Sequence, residues 1–250
     1  MTGRAAVLVI AGSDSSGGAG IVRDIKVLTD LGVDALCAIS AVTAQTHNHV
    51  VSVLHIPPEV VRTQIRAALE SATVGAVKIG MLGTSATVSA VADSLSRAGS
   101  IPIVLDPVLL SSSGGVLLDA EGREEMRTRL LPLATLLTPN IPEAATLCGT
   151  ATAASREELL QQARSLLAMG ARAVLLKGGH ADGAESVDLL LTAQGAPQWL
   201  SSPRLEARCR GTGCALASAI AAGIAKGQSM VDACRNAKEY VLSMLAAPAS

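Results

Sequence analysis

Apolar residues cluster along the chain in short, often β-branched runs of the kind found in buried strands. These runs contain few polar positions, which favours strands covered by other structure rather than strands with one face in water. We therefore predict buried strands at residues 5–11, 35–42, 76–80, 101–106, 134–138 and 171–177.

Longer stretches between these runs repeat apolar residues three and four positions apart and end in glycine or another small residue, as helices do. They predict helices at residues 19–32, 58–72, 84–99 and 155–170. Such alternation indicates an α/β fold with one mostly parallel sheet and helices on both faces, whose ligands bind outside the carboxyl ends of the strands. Only residues 186–202 depart from it, and they predict an antiparallel hairpin turning at Gly195 to Pro197.

The composition narrows the possible partners. The chain has 250 residues, and its 20 basic and 21 acidic side chains give a net charge of −1, so nothing favours nucleic acid or an anionic membrane surface. The longest apolar segment, 215–225, is shorter than the roughly 20 residues that span a bilayer. No linker or internal repeat divides the sequence, and we predict a single domain over residues 1–250.

The cysteines bear on the cellular compartment. There are five, an odd number, without CxxC spacing or metal-type spacing to the histidines, which predicts reduced thiols in the cytoplasm. The apolar start after Arg4 superficially resembles a secretory signal, but a glycine-rich loop stands where a cleavage site is expected. The cysteines are Cys37, Cys148, Cys209, Cys214 and Cys234.

The first candidate for chemistry is the glycine-rich loop from Gly12 to Gly20, which follows the first predicted strand and opens a helix. Glycines there allow backbone N–H groups to approach a ligand closely. The loop matches neither the GxxxxGK[ST] nor the GxGxxG pattern. An ordinary turn followed by an N-cap serine is an equally good interpretation.

Three further candidates lie after later strands. Asp106 is placed to meet a magnesium ion, although Asp-Pro also opens turns. Asn140 and Glu143 have the spacing of an N-cap and the third helical residue, with Pro142 in the first turn, and the same pair suits nucleotide phosphate and hydrated magnesium. Lys177, before two glycines, offers phosphate a cation, although such a tripeptide also ends many strands.

The motif GTGC, residues 211–214, precedes an alanine-rich helix. Gly211 and Gly213 free the backbone, Thr212 adds a hydroxyl, and the positive end of the helix dipole faces the loop, which indicates an anion hole. The same dipole predicts that the pKa of Cys214 is lowered from the ordinary value of about 8.5. The alternative is a small cysteine packed beneath the helix.

In order and approximate spacing, these motifs resemble those of the hydroxymethylpyrimidine kinase/phosphomethylpyrimidine kinase family of thiamin biosynthesis, within the ribokinase-like superfamily. The resemblance covers nearly the whole chain through AGSDSSGGAGIVRDIK, TAQT, KIGML, LDPV, LLTPNIPEA, LLKGGH and GTGC. It implies a ribokinase-like three-layer α/β/α sandwich, phosphorylation by Mg²⁺-ATP of 4-amino-5-hydroxymethyl-2-methylpyrimidine and of its monophosphate, and a homodimer.

The resemblance also implies roles for individual residues. Cys214 takes the proton of the accepting hydroxyl, a task that most sugar kinases of the superfamily give to aspartate. Magnesium lies near Asp106 and Glu143. The pyrimidine pocket corresponds to Gly12, Ala19, Gln45, Met81 and Val108, with Asp24 nearby, and the nucleotide side to Asn140, Lys177, Arg210, Gly211, Thr212 and Gly213. The amide of Gln45 matches the adjacent donor and acceptor edges of an aminopyrimidine, and Met81 and Val108 can enclose its flat ring.

The chain departs from the family pattern at two places. Arg208, Cys209 and Arg210 stand where the family commonly has Asn-Thr-His, and arginine suits phosphate because its charge is permanent and its donors are forked. After Gln45, the family's Asn-Thr is replaced by Thr46 and His47, and we predict that His47 and His49 face solvent.

Two alternatives remain open. A pyridoxal or pyridoxine kinase shares the cysteine motif and also phosphorylates a hydroxymethyl group on a heteroaromatic ring. A catalytically idle regulator that binds a pyrimidine or nucleotide is the other alternative. The chain retains a full set of candidate catalytic side chains, which argues against an idle protein: Asp106, Asn140, Glu143, Lys177 and Cys214.

Overall fold

The predicted strands form one sheet in the computed structural model, which describes residues 4–46, 49–111, 114–178, 184–205 and 209–247. The strands are β1 (Ala6–Asp14), β2 (Asp34–Gln45), β3 (Val50–His55), β4 (Val74–Ile79), β5 (Ile103–Leu105), β6 (Leu136–Leu137), β7 (Ala173–Leu176), β8 (Glu185–Thr192) and β9 (Gln198–Pro203). Their order across the sheet is β3-β2-β1-β4-β5-β6-β7-β8-β9.

The centre of the sheet is parallel. β1 pairs in parallel with β2 on one side and β4 on the other, and β4 through β7 continue in parallel. The chain turns to opposite sides of β1 as it builds the sheet, and such a reversal opens a crevice at the carboxyl ends of the strands. β3, β8 and β9 are antiparallel to their neighbours, which confirms the predicted late hairpin.

Helices cover both faces of the sheet. They are α1 (Gly20–Asp30), α2 (Pro58–Ser71), α3 (Ser85–Ser96), α4 (Ala120–Glu125), α5 (Ile141–Cys148), α6 (Arg156–Ala168), α7 (Thr212–Ala225) and α8 (Met230–Ala246). A π-helical turn, Met126–Leu130, and a short 3₁₀ turn, Leu131–Leu133, continue from α4. None of the described helices combines the length and hydropathy needed to cross a membrane.

Two buried clusters hold the three layers together. Successive residues of β1 point to opposite faces, so Leu8 and Ile10 enter one cluster whereas Val7 and Val9 enter the other. The first cluster joins the sheet to α2, α3, α5 and α6, and the second joins it to α1, α7 and α8. The predicted α/β/α sandwich with a mostly parallel sheet is confirmed.

Some elements have weak signals in the sequence. β3 is an edge strand whose residues are exposed or half-buried, and Ser52 interrupts its short apolar run. α8 buries Ala233, Cys234, Ala237 and Lys238, and these small or polar residues leave little apolar periodicity.

The edge of the sheet opposite to β3 is formed by β9. Its Trp199 lies under the guanidinium of Arg156 from α6, which is 4.8 Å from the ring centroid.

Candidate active site

The loop after β1 packs against the start of α7. Gly211 has a φ of +73°, and a Cβ there would collide with the carbonyl oxygen of Gly18 and lie 3.1 Å from the Cα of Ala19. Gly20, at φ +58°, similarly leaves room for the carbonyl of Gly12. The alternative of an N-cap serine is wrong, because Ala19 precedes α1 and no side chain caps that helix.

Asp106 and Lys177 form an ion pair at the ends of β5 and β7. The Lys177 Nζ lies 2.8 Å from the Asp106 Oδ1, and the Thr138 hydroxyl lies 3.3 Å from the same oxygen. Burial opposes the charge of Lys177, but the carboxylates of Asp106 and Glu143 raise its pKa above the ordinary value. A Cβ on Gly213 would lie 3.3 Å from the Lys177 Nζ, so this cation adjoins the backbone of the GTGC motif.

Asn140 and Glu143 form the predicted capping box at the start of α5. The Glu143 N–H donates to the Asn140 Oδ1 and the Asn140 N–H donates to the Glu143 Oε2, both at 2.8 Å. The pKa of Glu143 is raised to about 7. Burial is the main cause, the charge of Asp106 acts in the same direction, and Lys177 acts in the opposite direction. The carboxylate therefore caps the helix while it shares the electrostatic environment of the Asp106–Lys177 pair.

The carboxylates of Asp106 and Glu143 are the candidate ligands for a metal ion. No group of three or more His, Cys, Asp or Glu side chains suited to a metal ion occurs in the described part of the chain. Asp106 and Glu143 nevertheless offer the hard oxygen ligands that magnesium prefers, and this ion is commonly held by one or two carboxylates together with water and substrate phosphates. The donor set thus fits an ion that arrives with a nucleotide.

Cys214 lies in the first turn of α7 and is half-buried. Burial raises the pKa of its thiol to about 11, whereas Lys78 and the backbone N–H of Gly20 act in the opposite direction. The prediction of a lowered pKa is wrong, because withdrawal from water outweighs the favourable effects on the thiolate.

Asp24, predicted to lie near the substrate pocket, is fully buried on α1. Its two carboxylate oxygens are 2.9 and 2.8 Å from the Nζ of Lys78, and the Ser218 hydroxyl donates to one of them at 2.8 Å. This carboxylate therefore faces an internal ion pair instead of the open crevice.

The other predicted pocket residues come from the ends of adjacent strands. Gly12 is buried in β1, and a Cβ there would lie 3.0 Å from the Sδ of Met81, which follows β4. Gln45 ends β2, with its Oε1 3.4 Å from the Thr43 hydroxyl, and Val108 follows β5. Gln45, Met81 and Val108 are half-buried, so each retains surface for a ligand. Ala19, at the start of α1, is also half-buried.

Arg210 joins its own loop to the loops that follow β1 and β2. One guanidinium nitrogen donates to the Thr46 carbonyl at 2.8 Å and to the Ser16 hydroxyl at 3.2 Å. The other lies 3.6 Å from the Oδ2 of Asp14, a buried oxygen without a hydrogen bond. These contacts place Arg210 beside the loops that carry Ser16 and Thr46, the latter next to Gln45 in the sequence, and its assignment to the nucleotide side stays a prediction.

The structure describes only some of the residues in and beside the two segments that depart from the family pattern. Arg208 and His47 lie outside the described residues. His49 is exposed, as predicted, and its ring Nδ1 is 3.2 Å from the Thr46 hydroxyl.

Sequence reasoning missed two buried ion pairs behind the crevice. Lys78 pairs with Asp24, and Asp188 of β8 accepts hydrogen bonds from the Lys238 Nζ at 2.7 Å and the Gly178 N–H at 2.9 Å. Their signal is a single charged residue inside an apolar strand run, as in AVKIG and SVDLLLT. Charge within such a run indicates a buried partner, because an unpaired buried charge is costly.

Comparison with known proteins shows extended similarity. The model of the phosphomethylpyrimidine kinase family matches residues 14–250. A hydroxymethylpyrimidine/phosphomethylpyrimidine kinase from Streptomyces coelicolor is 46% identical over 242 residues, which cover 96% of this chain and 88% of that protein.

Solved structures are similar as well. The phosphomethylpyrimidine kinase of Clostridium difficile has a TM-score of 0.85 and 34% identity, and the match covers 97% of this chain and 100% of that one. The pyridoxal kinase of Staphylococcus aureus in complex with pyridoxal has a TM-score of 0.89 and 31% identity, with 97% and 88% covered. The similar folds therefore include kinases named for two different ring substrates.

Proposed function

The chain belongs to the phosphomethylpyrimidine kinase family, and we propose that it phosphorylates 4-amino-5-hydroxymethyl-2-methylpyrimidine with ATP and then converts the monophosphate to the pyrophosphate. It is a phosphotransferase of thiamine biosynthesis, as the names of its relatives indicate. The observation that carries the proposal is the convergence of Lys177, Asp106 and the Gly213 backbone beside Cys214.

The nucleotide is proposed to lie along the carboxyl ends of β5, β6 and β7. Lys177 and the backbone N–H groups of residues 211–214 hold the transferred phosphoryl group, with the Thr212 hydroxyl as a further donor and Asn140 beside the nucleotide phosphates. Asp106 and Glu143 would hold a magnesium ion, which would supply positive charge against the phosphates. Fixed donors of this kind stabilise charge that develops in the transition state.

Cys214 is proposed as the base for the hydroxymethyl group. Its thiolate accepts the hydroxyl proton while the hydroxyl oxygen bonds to phosphorus and the bond to the departing ADP oxygen breaks. Since phosphoryl transfer passes through a loose transition state, positioning of the oxygen matters more than the strength of the base. A thiol whose pKa lies near 11 can therefore serve, although few molecules carry the thiolate at neutral pH.

The pyrimidine is proposed to bind between Met81 and Val108, with its amino edge on the side-chain amide of Gln45. Gly12 and Ala19 leave the ring close access to the backbone of the first loop. Arg210 closes this pocket by joining the loops that follow β1 and β2.

A homodimer in the cytoplasm is a further part of the proposal. Val42 of β2 lies opposite Leu54 of β3, and the two exposed side chains form an apolar pair on the outer face of the sheet. Apolar side chains exposed together favour burial against a second copy of the chain. The cysteines are free, which agrees with a reducing compartment.

A pyridoxal kinase is the second candidate, because a pyridoxal kinase shares this fold at 31% identity. The two are separated by measuring ATP consumption with the aminopyrimidine, its monophosphate, pyridoxal and pyridoxine. We expect the highest kcat/KM for the aminopyrimidine, and a variant Gln45→Glu, which lacks the amide NH₂, should lose most of that preference. A larger kcat/KM for pyridoxal would transfer the assignment to the second candidate.

The second phosphorylation is tested separately. With excess ATP, mass spectrometry should show the pyrimidine pyrophosphate as the end product. A reaction that stops at the monophosphate would remove this step while leaving the first one intact.

A further inference from the structure

Lys78 is a fully buried cation in the middle of the molecule. Both its side chain and that of its partner Asp24 have 0% exposure, and the Nζ lies 2.8 Å from the nearer carboxylate oxygen. A buried ion pair of this kind often contributes little net stability, since both charges lose their hydration. Its presence under the crevice therefore calls for a role beyond packing.

The pair lies against the first half of α7, one helical turn after Cys214. Ser218, which donates to Asp24, follows Cys214 by four residues, so the two side chains lie on the same face of that helix. The Nζ of Lys78 also lies 2.9 Å from the position of a Cβ on Gly80, at the carboxyl end of β4. The ammonium group thus extends from β4 toward the end of the sheet at which Cys214 lies.

Four charged groups influence the Cys214 sulfur from the surrounding elements. Lys78 on β4 and Lys177 after β7 favour its thiolate, whereas Asp24 on α1 and Asp106 after β5 disfavour it. Apart from burial itself, Lys78 has the strongest effect on the pKa of Cys214, stronger than that of its own partner Asp24. The ammonium group of the buried pair therefore favours the thiolate more than the carboxylate opposes it.

Lys78 retains its charge in this environment. Burial opposes its ionisation, but the negative charges of Asp24, Cys214 and Asp106 raise its pKa above the ordinary value. A permanent buried cation affects a nearby half-buried thiol more strongly than the same cation in water, because the local dielectric constant is lower.

We propose that Lys78, held by Asp24 and Ser218, is a positioning residue that stabilises the thiolate of Cys214. This inference rests on the proposed function, in which that thiolate accepts the proton of the substrate hydroxyl. Asp24 orients the ammonium group toward the sulfur and prevents it from remaining unpaired in the core. The reaction then uses a base whose ionisation is supported from below by charge that never contacts the substrate.

The test measures alkylation of Cys214 in the unliganded protein, so it does not depend on kinase activity. Iodoacetamide is applied across pH 7 to 10, and mass spectrometry follows the tryptic peptide 211–226, which contains Cys214 but not Cys209. In the variant K78M/D24N we expect the pH profile to move upward and alkylation at pH 8 to slow, because the effect of Lys78 on the Cys214 pKa exceeds the opposite effect of Asp24.

The matched control is D188N/K238M, which removes the other ion pair, Asp188–Lys238, behind the sheet. We expect its Cys214 profile to follow that of the unmodified protein, because this pair is not among the largest influences on the Cys214 pKa. Circular dichroism verifies the fold of each variant. If K78M/D24N does not fold, K78M/D24L takes its place, since apolar replacement of a buried pair is often tolerated.

An unchanged Cys214 profile in either folded variant would overturn the inference. So would an equal shift in D188N/K238M, which would indicate a general loosening of the core. A shift specific to the Lys78 variants, in a protein that fails to phosphorylate the pyrimidine, would support the charge coupling and reject the proposed function alone.

Discussion

At the scale of single residues, Cys214 experiences two opposed electrostatic effects. The start of α7 and the nearby Lys78 favour a thiolate, whereas burial favours the neutral thiol and prevails. The sequence shows where the cysteine stands in its motif. It does not show how far the cysteine is buried, because that depends on loops from distant parts of the chain.

The role of Cys214 as a base predicts a specific pattern. Cys214→Ala should lower kcat by about 10² to 10⁴, the usual cost of a lost general base, with little change in KM or melting temperature. Cys214→Asp should recover part of the activity if its carboxylate reaches the hydroxyl. Nearly intact kcat with a lowered melting temperature would mean that Cys214 only packs beneath the helix.

The raised pKa of Cys214 predicts the pH dependence of the same reaction. Because the thiolate is the active form and its pKa lies near 11, kcat/KM should increase as pH rises from 7 to 9. The Cys214→Asp variant should lack that increase, since a carboxylate is already ionised in this range. Parallel profiles for both proteins would assign the titration to another group.

Glu143 caps α5 and is also proposed to hold magnesium, and two variants can separate these roles. Glu143→Gln keeps an oxygen for the Asn140 N–H and should leave the melting temperature nearly unchanged, whereas Glu143→Ala loses that bond, at about 0.5 to 1.5 kcal/mol. Both should need more magnesium for half-maximal activity. Full activity of Glu143→Gln at low magnesium would leave the residue as a helix cap alone.

At the scale of elements, the sequence predicts α7 and its glycine-rich entry well. Glycine marks positions where the backbone takes a left-handed conformation or passes close to another segment. Gly211 has a positive φ and also faces the carbonyl of Gly18. β3 and α8 have weaker signals in the sequence. The exposed edge strand and the helix that buries small residues both depend on tertiary contacts. The Asp24–Lys78 pair is hidden for the same reason, as its members lie 54 positions apart.

The entry to α7 can be tested by comparing two glycines. Gly211→Ala and Gly227→Ala both force alanine into a left-handed conformation, at about 1 to 2 kcal/mol. A Cβ on Gly227 meets nothing within 4 Å, whereas one on Gly211 strikes the first loop. We expect Gly211→Ala alone to reduce kcat/KM strongly, and equal activities would contradict this account of the anion hole.

At the scale of the whole molecule, the outer face of β2 and β3 is the surface proposed for the dimer. Leu54→Lys should convert the dimer to a monomer in sedimentation equilibrium, because it places charge in an apolar contact. Val116→Lys is the matched control, since Val116 and Leu54 are each 67% exposed. A monomeric unmodified protein, or dissociation of both variants, would reject this interface.

Trp199 gives the molecule an unusual optical property. It is the one tryptophan of the chain, and the chain contains no phenylalanine and a single tyrosine. It lies near the start of the edge strand β9, beneath Arg156, and packs against the buried cluster on the face of the sheet opposite to α7. Intrinsic fluorescence excited at the indole band therefore reports the docking of α6 on the last hairpin, which makes it a local probe of unfolding.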